Sequence, residues 1–187
     1  MTDLDAIIEA FGLPENPRVT PVPRANVLEW SKASDLDALG ALYSYMMNPS
    51  YSKRIAPPLS LDDYIEFVQN YLGRCFVEDR ETDWADGRYS AGWSLARWLV
   101  ILAQEGGPGR EAIHSLSRWL SEIYRQGDSN VRRAIVDAAL EHAFENPDVR
   151  RSFESWNNDP ELAVAFSEAV AWSKGGGRSP LGEKKRP

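Results

Sequence analysis

The sequence predicts an all-α protein, either an irregular helical bundle or a short α-α stack of about seven helices. Two observations carry this. Apolar residues recur at helical spacing through most of the chain, and helix-start signals punctuate those runs, twice with a capping side chain directly before proline. No run of four or more residues alternates convincingly between apolar and polar, so no sheet is expected. Seven tryptophans, Trp30, Trp84, Trp93, Trp98, Trp119, Trp156 and Trp172, spread along most of the chain and argue for a real core.

The elements follow in order. Leu4, Ile7, Ile8 and Phe11 make one stripe, so 3–11 reads as a short helix. Pro14, Pro17, Pro21 and Pro23 then forbid a helix and favour an extended strap. Ser34 reads as the N-cap of a second helix. Asp35 and Asp37 fill its first turn, where the helix dipole favours anions, and Asn48-Pro49 ends it. Ser60 opens a third helix, with Asp62 and Asp63 in its first turn and Tyr64, Phe67, Val68 and Tyr71 along one side.

The segment 89–104 is apolar on two faces, one of Tyr89, Trp93, Ala96, Val100 and Ala103, the other of Leu95, Leu99 and Leu102. Arg97 is its only charge, so it is expected at the centre of the fold with Trp93 in the core. Glu105-Gly106-Gly107-Pro108-Gly109 stops it. A helix over 110–126 turns its Ile113, Leu116, Leu120 and Ile123 inward. Gly127 is expected left-handed at its end, and Asp128 and Ser129 cap the next helix at once, which makes a tight αα-hairpin. The segment 131–144 is again apolar on two sides. Asn146-Pro147-Asp148 opens a short helix carrying Val149, Phe153 and Trp156. Asp159-Pro160-Glu161 opens another carrying Leu162, Phe166, Ala169 and Trp172. From Gly175 the chain is Gly-rich and basic and is expected to be a disordered tail. The expected organisation is N-terminal helices and strap over 1–50, a helical domain over 51–174 and the tail over 175–187. Val131-Arg132-Arg133-Ala134-Ile135 resembles the second helix of a HEAT-type repeat, though no second copy recurs at a fixed period.

The net charge is −7, and the basic tail makes the body more acidic still. Such a body repels phosphate backbones, which argues against nucleic acid and is compatible with a basic protein partner. The single cysteine, Cys75, rules out an intramolecular disulfide and fits a reducing compartment. The acidic, amphipathic start is unlike a signal peptide, and no segment has the length and apolarity of a bilayer span. A cytoplasmic location is the expectation.

Motifs for familiar chemistry are missing: no His-Glu-x-x-His, no Gly-x-Ser-x-Gly and no phosphate loop. No catalytic residue, cofactor or metal site is assigned. Of the two histidines, His114 lies on a polar face near Arg110 and Arg118, and His142 reads as a half-buried packing residue. Cys75 reads as a small apolar core residue. A calcium loop starting at Asp79 fails on its register, since Trp84 stands where glycine is needed and Ser90 where a bidentate glutamate is needed. Asp86 is expected to cap the helix that follows, with Trp84 plugging its end. Acid does concentrate between Ser60 and Ala91, with eight acidic residues against three arginines. Glu66, Glu81 and Asp83 are therefore the candidate partner-binding residues, acting on a basic partner through the rate of encounter. The alternative is an enzyme or small-ligand site between helices around Trp84, Arg88, Tyr89 and His142.

Several stretches carry a resemblance. They include Arg54-Ile55-Ala56-Pro57-Pro58-Leu59-Ser60-Leu61-Asp62-Asp63-Tyr64, Trp84-Ala85-Asp86-Gly87-Arg88-Tyr89-Ser90-Ala91-Gly92-Trp93, Tyr124-Arg125-Gln126-Gly127-Asp128, Ala134-Ile135-Val136, Leu140-Glu141-His142 and Trp156-Asn157-Asn158-Asp159-Pro160-Glu161-Leu162. Through these, residues 52–172 resemble an uncharacterised family of small acidic α-helical bacterial proteins, a domain of unknown function. The resemblance implies no activity. Small acidic proteins of this kind are sometimes suspected to be immunity proteins for bacterial toxins, a likeness of type that assigns no residue a role.

Overall fold

The computed structural model describes residues 1–13 and 16–175. It is all-α, and the strands among the described residues are two-residue pairs. Two compact units divide the chain, one of Met1–Ala91 and one beginning at Gly92.

In the first unit, α1 (Asp3–Phe11) starts on a capping box in which Thr2 and Asp5 satisfy each other's backbone amides. Its inward residues Ile7 and Phe11 are fully buried. The Phe11 ring stacks on Tyr45, with centroids 4.7 Å apart. The described residues of the proline strap pair with this body. Gly12–Leu13 (β1) pairs with Asn16–Pro17 (β2), and Val22–Pro23 (β3) pairs in parallel with Ile55–Ala56 (β4). Arg54 fastens it: its guanidinium donates to the carbonyls of Ala10, Phe11 and Thr20 at 2.8–3.1 Å and lies over the Phe11 ring.

The strap ends at its last proline, and a helix not expected before Ser34, α2 (Arg24–Trp30), begins directly after Pro23 and buries Val27 and Trp30. Proline blocks a helix only from within, and just before the first turn its missing N–H costs nothing. The cap of α3 (Leu36–Met47) is Asp35 rather than Ser34, its carboxylate accepting the amide of Asp37 at 3.2 Å. Asn48 ends α3 and caps the single turn α4 (Pro49–Ser52). Ser60 caps α5 (Leu61–Glu78) through a box with Asp63. Asp63 also takes Arg24 in a two-pronged pair at 2.7–3.1 Å, which ties the start of α2 to the start of α5. Burial pushes the Asp63 carboxyl up, but hydrogen bonds from Arg24 and Ser60 outweigh it and hold the group below the usual aspartate range.

Helix α6 (Arg88–Gln104) begins in the first unit and continues into the second. Its buried face is Ala91, Leu95, Trp98, Leu99 and Leu102. Trp93 does not belong to it: against the expectation of a core position, its ring is 55% exposed. Helix α7 (Gly106–Gln126) starts four residues before the expected Arg110. The glycines make its first turn, and a Cβ on Gly109 would stand 2.0 Å from the Leu102 carbonyl oxygen, so only glycine fits this close reversal.

Gly127 is extended, with φ −75° and ψ 150°, and not left-handed. It is needed there for space, since a Cβ would lie 2.5 Å from Val131 Cγ1. Asp128 caps α8 (Ser129–Ala134), accepting the amides of Asn130 and Val131 at 2.9 Å. The helix then widens into a π-turn, Ile135–Leu140, and closes with α9 (Glu141–Ala143). Asn146 caps α10 (Pro147–Ser152), and Asp159 caps α11 (Pro160–Lys174), each before proline at the first helical position as expected. Trp156 lies between them in a 3₁₀ turn, Glu154–Asn158. Its buried indole donates to the Ser117 hydroxyl at 3.1 Å. Phe144, Phe153, Trp156 and Phe166 interlock as the aromatic core of this unit. The tail beyond Gly175 lies outside the described residues.

Candidate functional site

The acidic stretch divides into carboxylates with structural partners and carboxylates without. Asp63 holds Arg24, Glu78 holds Arg74 at 2.6 Å, and Asp79 accepts the Arg88 amide at 3.0 Å while pairing with its guanidinium at 3.4 Å. The loop after α5 turns on Thr82, whose hydroxyl bonds to Asp37 and accepts the amides of Trp84 and Ala85. Asp37 also pairs with Arg80. Among the described residues Glu66, Glu81 and Asp83 are exposed and meet no cation. They do not form one cluster along α5. Glu66 stands on its second turn, and about 18 Å of helix rise separates it from the end of α5, beyond which Glu81 and Asp83 follow.

The residues of the alternative pocket have individual surroundings. Trp84 is half-buried, its ring 6.3 Å from that of Tyr45. Arg88 is largely buried against Asp79. Tyr89 is 42% exposed on the first turn of α6. His142 is half-buried as expected, its ring meeting Trp172 edge-on at 4.9 Å. Cys75 is buried, and burial pushes its thiol up to about 12, so it is a core residue and not a nucleophile.

His114 is exposed and lines a cleft of about 520 Å³ with Glu111, Ser117, Arg118, Ser152 and Ser155. The residue types suit nucleophilic catalysis, but two of the hydroxyls serve the fold. Ser117 accepts the Trp156 indole, and Ser152 donates to the Asp148 carbonyl. Glu141, next to His142, is pushed up to about 7 by burial and then by its neighbours Asp137 and Glu168. Among the described residues no three His, Cys, Asp or Glu side chains are grouped so as to hold a metal ion, and no helix is long and apolar enough to cross a membrane.

The feature missed in the sequence is the outward face of α6. Trp93 at 55% and Ile101 at 40% exposure flank the exposed Arg97, all at four-residue intervals. The three share one side of the helix and span about 12 Å. The signal was present. The only charged residue within 89–104, Arg97, marks the side open to water, and residues four positions away share that side. Compared with protein-family models, curated proteins and solved structures, the chain matches none.

Proposed function

We propose that this is a non-catalytic protein-binding protein that docks a basic protein partner on the outward face of α6. The exposed Trp93, Arg97 and Ile101 carry the reading. Tryptophan and arginine are the residue types that most often dominate binding energy, and an indole left in water gains most from being covered. The net charge of −7 gives the partner its sign. Glu66, Glu81 and Asp83, free of cations, speed the encounter, while the apolar pair sets the lifetime of the complex. An immunity protein neutralising a basic bacterial toxin is the specific form of this proposal, supported by the acidity of the chain.

The test is capture of a partner on the full chain, then stopped-flow binding with the purified partner. Trp93→Ala should raise the dissociation rate by about tenfold or more. Replacing Glu66, Glu81 and Asp83 by Gln, Gln and Asn should slow association and flatten its dependence on salt. A captured protein that binds both variants as it binds wild type overturns the proposal.

A further inference from the structure

The 3₁₀ turn before α11 is framed on both sides. Trp156 is buried on Ser117, while Asp159 caps α11 and takes Arg125 at 2.8 Å. Asn157 and Asn158 between them are exposed and make no hydrogen bond to another described side chain. They line a cleft of about 690 Å³ together with Arg150, Lys174, Phe166 and Val170. The cleft is an open groove, wide enough for a small molecule to lie along it.

The lining has two parts. Phe166 and Val170 are apolar. Arg150 and Lys174 are cations that meet no carboxylate among the described residues, and Arg150 commits one N–H to the Phe144 carbonyl at 3.4 Å. The two asparagine amides and the Ser155 hydroxyl add neutral donors. Glu154 also lines the cleft, so two cations stand against one carboxylate. The remaining single positive charge attracts an anion, and the apolar Phe166 and Val170 beside it favour one with an apolar body over inorganic phosphate. We propose that this cleft binds a small monocarboxylate with an apolar body, the head held by Arg150, Lys174 and the Asn157 and Asn158 amides, the body lying against Phe166 and Val170.

The experiment is a titration of the full chain followed by amide NMR, with 3-phenylpropionate, its neutral amide and inorganic phosphate as probes. The carboxylate should shift the Asn157 and Asn158 signals saturably, with a Kd on the order of 1 mM or tighter. The neutral amide and phosphate should not. Lys174→Gln should weaken the carboxylate by about tenfold with unchanged circular dichroism, and Glu154→Gln, which removes the opposing charge, should tighten it. No saturable shift by about 10 mM, equal shifts from the neutral amide, or an unaffected Lys174→Gln variant each overturn the proposal.

Discussion

A Cβ placed on Gly40 would stand 2.2 Å from the carbonyl oxygen of Trp84 and 2.9 Å from the Ala85 Cα. Helix α3 and the loop after α5 therefore meet backbone to backbone, and no side chain fits between them. Gly40→Ala must push the loop away and should cost about 3 kcal/mol. Gly107→Ala is the control. Nothing lies within 4 Å of its added carbon, and its φ is ordinary, so it should be neutral or gain about 0.5 kcal/mol. Thermal melts of the two variants decide it, and equal shifts would show that the close approach is not there.

The two tryptophans Trp93 and Trp156 should separate just as widely. Trp93 is half in water, so Trp93→Ala should change stability by no more than about 0.5 kcal/mol. Trp156 is buried, hydrogen-bonded to Ser117 and packed on Phe153, so Trp156→Ala should cost about 4 kcal/mol. Denaturant unfolding of both variants tests this. A large loss for Trp93→Ala would return it to the core and remove the docking face with it.

Helix starts were the most legible feature, because a cap is a local arrangement. Ser60, Asp128, Asn146 and Asp159 each cap the helix that their spacing implied. Rotation about a helix axis was less legible. Trp93 shares a helical row with the apolar Tyr89, Ala96, Val100 and Ala103, so the hydrophobic pattern turns it inward, and only Arg97, four residues on, marks that row as the side open to water. The glycines show a related limit. Gly127 was expected for its backbone angle, yet it is needed for the space beside Val131, and crowding by a residue four positions on is a three-dimensional fact. The cleft around Asn157 and Asn158 draws on α10, the 3₁₀ turn and α11, so its cations come together only on folding.

Cys75 should be silent in the native protein. Burial raises its thiol most, and Asp86 and Glu78 add repulsion, to about 12 despite the hydrogen bond with Tyr71 and the charge of Arg74. At neutral pH the thiolate is then a negligible fraction, and reagent must wait for the chain to open. A thiol-reactive chromophore should label Cys75 at the rate of unfolding, faster with added urea. Prompt labelling in buffer would mean that α5 opens locally.

Glu141 gives the fold a dependence on pH of unusual sign. It follows the π-turn, half-buried, with Asp137 four residues earlier and Glu168 on α11 as like charges. Arg133 pairs with Asp137 at 3.1 Å. Burial first, then Asp137 and Glu168, push the Glu141 carboxyl up to about 7 from an ordinary 4.5. The folded chain thus holds this proton more tightly than the unfolded chain. The stability it contributes is fully present below the unfolded value and is lost as pH rises through the folded one. Glu141→Gln keeps the shape without the charge. It should match wild type at about pH 3 and exceed it at about pH 8.5, by about 1 kcal/mol once solvent screening of a half-buried group is allowed for. Urea unfolding of both proteins across this range measures the difference directly. Parallel stability curves would mean that Glu141 is ionised without penalty and that the carboxylates around the π-turn are too well hydrated to repel one another.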